Sequence, residues 1–251
     1  WRGQAKDTSA SVRDLTAAWH DVALVVPCAR NQQKRSELRA ARETAETVSQ
    51  FMSELGLGSD AVEDASLAQG ALGRRRVAIL AYNPHMDDEA VQALEKFVQS
   101  GGKLFACYNL PPRLARLLGF GKMKYVPQEQ PGQFAEIRFE APHIAGLPSV
   151  VRQASWNITA AEPVSPDAQV IGRWHDRDGR PTGLPAMLVS ERGAFFSHIL
   201  LAEDPAGKRQ LLAAVLGHLA PALWQQMVQA AMEQVSRIGH CETLEQLAEH
   251  M

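Results

Sequence analysis

The sequence predicts an α/β fold with a doubly wound, mainly parallel sheet and helices on both faces, and two observations carry that expectation. Short runs rich in Val, Ile and Leu alternate with longer segments whose apolar residues recur every three or four positions, and the joints are short and marked by Gly, Pro or Asp. The runs are apolar at nearly every position, as strands buried on both faces are. A chain of 251 residues, 45% hydrophobic and 22% charged, buries roughly 70% of its extended surface on folding. It needs neither disulfides nor metals to build its core.

The elements follow in order. Asp21 to Pro27 is a Val-rich strand closed by proline. Leu38, Ala41, Ala45, Val48, Met52 and Leu55 form the apolar stripe of a long helix stopped at Gly56. A short strand near Ala61 to Val62 and a small helix through Leu67 to Leu72 precede the strand Arg76 to Tyr82. Asp87 or Asp88 caps the next helix, whose apolar face is Ala90, Val91, Leu94, Phe97 and Val98 and whose stop is Gly101-Gly102. Lys103 to Tyr108 is the following strand and Pro111 to Leu118 the following helix. The strands at Asp21, Arg76 and Lys103 should therefore lie side by side and parallel, with the Asn83 and Tyr108 ends on one edge.

From Met123 to Leu201 the texture changes to short alternating pieces between Pro, Gly and Asp turns: Phe134 to Phe139, Ser155 to Ala160, Gln169 to Trp174, Pro185 to Ser190 and Ala194 to Leu201. These read as antiparallel strands that extend or cap the sheet. Helices return from Lys208. The uncharged run Gln210 to Met232 contains His218, Pro221, Gln225, Gln226 and Gln229, so it reads as two helices broken at Pro221 and not as a membrane span. Thr243 to His250 reads as a last helix capped by its threonine.

Composition excludes several classes of function. Twenty-six Lys and Arg against 28 Asp and Glu give a net charge of -2, so no chain-wide basic field recruits nucleic acid or a membrane surface. Cys28, Cys107 and Cys241 are widely spaced, with no CxxC pair and no zinc-ligand spacing. Gly56-Leu57-Gly58 and Gly119-Phe120-Gly121 follow helices and not strands, so no phosphate loop and no nucleotide cofactor is expected. A chain beginning at Trp1 without an apolar leader reads as a processed protein or a fragment, and its compartment is left open.

The segments VAILAYNPHMDDEAVQALEKFVQSGGKLFACYNLPPRLARLLGF, GLPSVVRQASWNI and RPTGLPAMLVSERGAFFSHILLAEDPAGKRQLLAAVLGHLAPALW resemble the class I glutamine amidotransferase-like, flavodoxin-like domain attached to bacterial glycoside hydrolase-like proteins. They are also similar to the trimerisation domain of one β-galactosidase family. The resemblance implies an α/β domain over residues 1–224 and a helical extension over 225–251 leading to a downstream domain that would carry any hydrolytic carboxylates. It further implies a homo-oligomer, a carbohydrate ligand or an adjacent glycoside hydrolase-like domain as partners. In amidotransferases the corresponding strand ends in a Gly-x-Cys-x-Gly elbow, and a late strand ends in His-Pro-Glu. The counterparts here are Cys107, His198 and Glu203, but Ala106, Tyr108 and Asn109 stand where small residues should flank the nucleophile. His198 is expected inside the late strand, five positions before Glu203.

Each of these residues also has a structural reading. Cys107 reads as a small buried hydrophobe, His198 as a hydrogen-bonded core or rim histidine, and Asp87, Asp88 and Glu89 as helix-capping carboxylates. Arg74, Arg75 and Arg76 read as a solvated strand entry. Asn157-Ile158-Thr159 matches a glycosylation acceptor but falls in an expected strand. Trp156 and Trp174 could stack on sugar rings, yet in period-two strands they read as core. Asn83, His85, Tyr108 and Asn109 follow parallel strands at their carboxyl ends, where open α/β sheets bind ligands, and are the candidate binding residues. The favoured reading is a non-catalytic amidotransferase-like module of a carbohydrate-processing protein, serving interaction, oligomerisation or ligand holding. The alternatives are a cysteine-dependent amidase using Cys107 and a sugar-binding module.

Overall fold

The first strand, β1 (Val22–Val26), shows why the sheet is parallel. Val22, Ala23 and Val25 are fully buried. Val22 and Leu24 join the core on one face and Ala23 and Val25 the core on the other. In the computed structural model, which describes residues 20–29, 34–141 and 143–238, β1 lies between β2 (Ser59–Glu63) and β3 (Val77–Leu80), parallel to both. Next come β4 (Lys103–Cys107) and β11 (Gly193–Phe196), again parallel. The antiparallel strands β10 (Pro181–Ser190), β9 (Gln169–His175), β6 (Phe134–Phe139) and β7 (Val150–Ser155) complete a nine-stranded sheet in the order β2-β1-β3-β4-β11-β10-β9-β6-β7. The three strands at Asp21, Arg76 and Lys103 are neighbours and parallel, as the alternating pattern requires.

Helices cover both faces. On one side α1 (Arg35–Glu54) packs Ala45, Val48 and Met52 against the sheet, together with α4 (Pro205–Leu219) and α5 (Ala222–Ile238). On the other, α2 (Asp88–Gln99), α3 (Pro112–Leu117) and a 3-10 helix (Asp64–Gln69) do so. The glycine stops act as the sequence implies. Gly56 at φ 72 ends α1, with its N–H donating to the Ser53 carbonyl and the Leu57 N–H to the Met52 carbonyl. Gly101 at φ 102 ends α2 the same way, the Gly102 N–H reaching the Phe97 carbonyl. Asp87 is the cap of α2, its carboxylate accepting from the Ala90 N–H at 2.7 Å. Pro221 separates α4 from α5, and no described helix is long and apolar enough to cross a membrane. The expected boundary after Trp224 falls within α5. The expected helix Thr243 to His250 lies outside the described residues.

The structure departs from the expectation in several places, most of them beyond β4. The run Ala194 to Leu201 is a strand only to Phe196, so His198 stands beyond the strand end and not inside it. The expected strand Ser155 to Ala160 is β8 (Asn157–Pro163), which leaves the large sheet to pair with β5 (Phe120–Pro127), a strand that the Gly119-Phe120-Gly121 turn signal hid, while β7, which ends just before Trp156, was not expected. Trp156 is consequently 51% exposed instead of core, whereas Trp174 is buried and donates to Ser197 Oγ at 2.8 Å. Arg75 is no solvated entry: its guanidinium, 13% exposed, pairs with Asp60 at 2.5 Å and donates to the Ala71 and Leu72 carbonyls.

The carboxylates after β11 hold the sheet's outer edge. Glu203 Oε2 accepts from the Ala154 N–H at 2.8 Å and Asp204 Oδ2 from the Arg152 N–H at 2.9 Å, which satisfies donors that edge strand β7 would otherwise leave open. Lys208, fully buried, donates to the Leu201 and Glu203 carbonyls.

The joint between β4 and β11 sets a sharp steric limit. A Cβ on Gly193 would stand 2.1 Å from the Leu104 carbonyl oxygen, a backbone atom that cannot turn aside. Gly193→Ala is expected to destabilise by about 3 kcal/mol or more. Gly70→Ala, at φ 80 with open space around it, should cost about 1 kcal/mol. Urea unfolding of the two variants measures the difference, and equal midpoints would contradict the backbone contact.

Candidate functional site

Strand β4 ends in a strained turn. Cys107 is its last residue, paired with Phe196 of β11. The Asn109 N–H folds back onto the Cys107 carbonyl at 2.7 Å, and Tyr108 between them sits at φ 63. A left-handed backbone at a bulky residue costs about 1–3 kcal/mol and persists only where its surroundings enforce it. Here the Tyr108 N–H is held by the Phe196 carbonyl at 2.8 Å. The turn that exposes a residue is therefore present, but one position later than Cys107: it displays Tyr108. Cys107 has no exposed surface, and burial pushes its thiol pKa far up.

Aromatic side chains from several chain ends meet at Tyr108. Its ring centroid is 5.9 Å from that of Tyr82, which follows β3, and 5.6 Å from that of His198. His198 in turn meets the exposed Trp156 edge to face at 4.9 Å. Tyr125 belongs to the same neighbourhood. It pairs with Thr159 across β5 and β8, the Thr159 N–H donates to the Ser197 carbonyl, and the Tyr125 phenol is close enough to affect Tyr108 electrostatically. Burial, with the neighbouring phenols, pushes the Tyr108 hydroxyl up to about 12.

His198 is 1% exposed and held from two sides. Its Nδ1 lies 3.0 Å from the Ile199 carbonyl oxygen and 3.1 Å from the Gln153 amide nitrogen. The same carbonyl accepts from the Gln153 amide at 3.0 Å. That amide also donates to Ser155 Oγ at 3.0 Å, and its oxygen accepts from the Leu201 N–H at 3.2 Å. Although β7 is four places from β11 in the sheet order, Gln153 reaches the segment after β11, so the antiparallel half curves back over the parallel strand ends.

The sequence-derived candidates divide accordingly. Tyr108 and His198 come together. Asn83 is 1% exposed in the loop after β3, and neither atom of its amide has a partner among the described residues. Asn109 follows the strained turn, with its Oδ1 likewise unpartnered. His85 is exposed and pairs with Glu37 at 3.4 Å. Glu203 is engaged with β7. Tyr82, Tyr125, Gln153 and Asn157 were not anticipated, although two signals were available. Tyr82-Asn83, Tyr108-Asn109 and Trp156-Asn157 repeat an aromatic-asparagine pair at three chain ends. Gln153 and Ser155 are polar at inward positions of an alternating strand. No cluster of metal-ligating side chains occurs among the described residues. Surface clefts of about 370 and 410 Å³ lie at the amino ends of the strands and beside the 3-10 helix, away from the aromatic cluster.

Burial lowers the His198 pKa to about 4, against a favourable contribution from the Ile199 carbonyl. Between that value and about 6.5 the unfolded chain binds a proton the folded protein refuses, so stability falls as pH falls through this window. His198→Asn should flatten the acid limb of stability between pH 6.5 and 4 by on the order of 3 kcal/mol, measured as urea midpoints along the pH series. An unchanged slope would show that His198 titrates normally in the fold.

No family model and no curated protein matches the chain. Among solved structures it is similar to a ThuA-like protein from Bacteroides uniformis, at 15% identity and TM-score 0.56, over 79% of this chain and 90% of that one. It is similar to a β-galactosidase from Rahnella sp. R3, at 16% identity and TM-score 0.57, over 82% of this chain but only 31% of the galactosidase. It is also similar to a GMP synthase component from Thermoplasma acidophilum, at 13% identity and TM-score 0.51, over 82% of this chain and 96% of that one. At these identities the likeness is one of fold, and the fold is glutamine-amidotransferase-like.

Proposed function

We propose that this chain is a non-catalytic amidotransferase-like module of a carbohydrate-processing protein and that it holds a ligand on the carboxyl edge of its parallel strands. One observation carries the reading: the turn after β4 displays the Tyr108 ring and leaves Cys107 sealed in the core. A cysteine nucleophile needs a lowered pKa and free access, and Cys107 has neither. Glu203, which would orient a catalytic His198, is committed to the Ala154 N–H. The glycoside hydrolase-like context rests on the likeness to galactosidase chains about three times as long as the matched region, so the partner domain is part of the proposal.

Cys107→Ser is expected to leave fold and ligand binding unchanged, and iodoacetamide should label Cys107 only after denaturation. Ammonia release from glutamine that disappears in Cys107→Ser, or rapid selective labelling of Cys107 at neutral pH, would restore the amidase reading.

A second role, self-association, is favoured by the outer face of α5. Val228, Met232 and Val235 lie three to four residues apart and are 54%, 63% and 43% exposed, an apolar stripe that a partner would cover. Light scattering should give a multiple of the 27.5 kDa chain mass, reduced towards one mass by Met232→Glu. A single chain mass across the accessible concentrations would refute self-association.

A further inference from the structure

The chain has only three tyrosines: Tyr108 meets Tyr82 and His198 ring to ring, Tyr125 acts on it electrostatically, and His198 in turn meets Trp156. Each of Tyr82, Tyr108 and Trp156 is followed by an asparagine whose buried amide lacks a partner: both atoms of Asn83, and the oxygens of Asn109 and Asn157. A buried amide group without a partner costs about 1–3 kcal/mol, and such groups in a native fold call for a ligand or water to complete them. All three are the residues next in sequence to rings of the aromatic cluster, a recurrence that packing does not require.

We propose that this platform binds an uncharged saccharide, with a sugar ring seated on the exposed Trp156 indole and its hydroxyls held by the amides of Asn83, Asn109 and Asn157. The proposal rests on the ligand-holding reading above and names the class of ligand. A pyranose offers a face of C–H groups to an aromatic ring, and its hydroxyls both donate and accept, as an asparagine amide does. The platform is also uncharged at neutral pH. His198 keeps its proton affinity low and Tyr108 keeps its phenol protonated. The ammonium whose charge reaches His198, Lys208, is already occupied by the Leu201 and Glu203 carbonyls. An anionic ligand would find no free cation among these groups. A nucleobase is hydrogen-bonded along one in-plane edge, whereas these amides stand on three separate chain ends, an arrangement suited to substituents radiating from a puckered ring.

The experiment titrates the protein with glucose, galactose, mannose, lactose, cellobiose and mannobiose at millimolar concentration, following tryptophan fluorescence and calorimetric heat, with adenosine and uridine as controls. At least one saccharide should bind and shift the emission. Trp156→Ala should weaken it about tenfold or more, equivalent to about 1.4 kcal/mol. Asn83→Leu should weaken binding while raising the urea midpoint of the free protein, because it removes the unpartnered amide; a merely structural asparagine would lower that midpoint. Silence from every saccharide, or saccharide binding that Trp156→Ala and Asn83→Leu leave intact, would overturn the proposal. Binding of the nucleosides alone would overturn the saccharide class while leaving the ligand-holding reading standing. Cys107-dependent ammonia release would overturn that reading independently.

Discussion

The pairing of β4 with β11 is the contact on which the rest of the molecule depends. It joins the parallel half of the sheet to the antiparallel half, and it is close enough that position 193 has room for a hydrogen and nothing larger. All four residues of β11 are buried. Because the two strands end together, the residues beyond them are delivered to the same edge: Tyr108 and Asn109 from one, Ser197 and His198 from the other. The Phe196 carbonyl that ends β11 then holds the Tyr108 N–H and helps to enforce the strained turn.

The left-handed Tyr108 and the unpartnered amides of Asn83 and Asn109 lie at this edge. The helices α1 and α2 end in glycine-stopped turns, and the edge strand β7 has its outward N–H groups answered by carboxylates. Lys122 and Asp204 also adopt positive φ, and Glu37 and Asp64 each keep a buried oxygen without a hydrogen-bond partner, so what distinguishes this edge is that its strained residue is an aromatic one followed by an incompletely bonded asparagine. The turn after β4 presents the Tyr108 ring and leaves Cys107 buried.

The curvature of the antiparallel half supplies the remaining walls. Gln153 ties β7 to Ile199 and Leu201, and the β5–β8 ribbon brings Tyr125 and Trp156 to the same edge. None of these contacts is local, so the site exists only once both halves have closed on each other. A substitution that loosened Gln153 would act on His198 from across the sheet.

The parallel half was legible from the residues alone. Continuous apolar runs such as Val22–Val26, apolar stripes at helical spacing, the cap at Asp87 and the glycine stops at Gly56 and Gly101 are local signals whose physics is complete within a few residues. The strand ends that carry Asn83, Tyr108 and Asn109 could be read for the same reason. The second half was less legible because strands of period two do not state their partners. The expected strand at Ser155 to Ala160 proved to be β8 in a separate sheet, β7 before it went unread, β5 was hidden behind a turn signal, and the run after Gly193 stopped being strand at Phe196 once its neighbour β4 ended. Sequence alone thus determined the parallel strands, their helices and the sheet edge to which Asn83, Tyr108 and Asn109 are delivered. Tertiary structure decided which residue the turn presents, because the turn that the Asn109 N–H closes on the Cys107 carbonyl is anchored at the Tyr108 N–H by the carbonyl of Phe196, a residue 88 positions away.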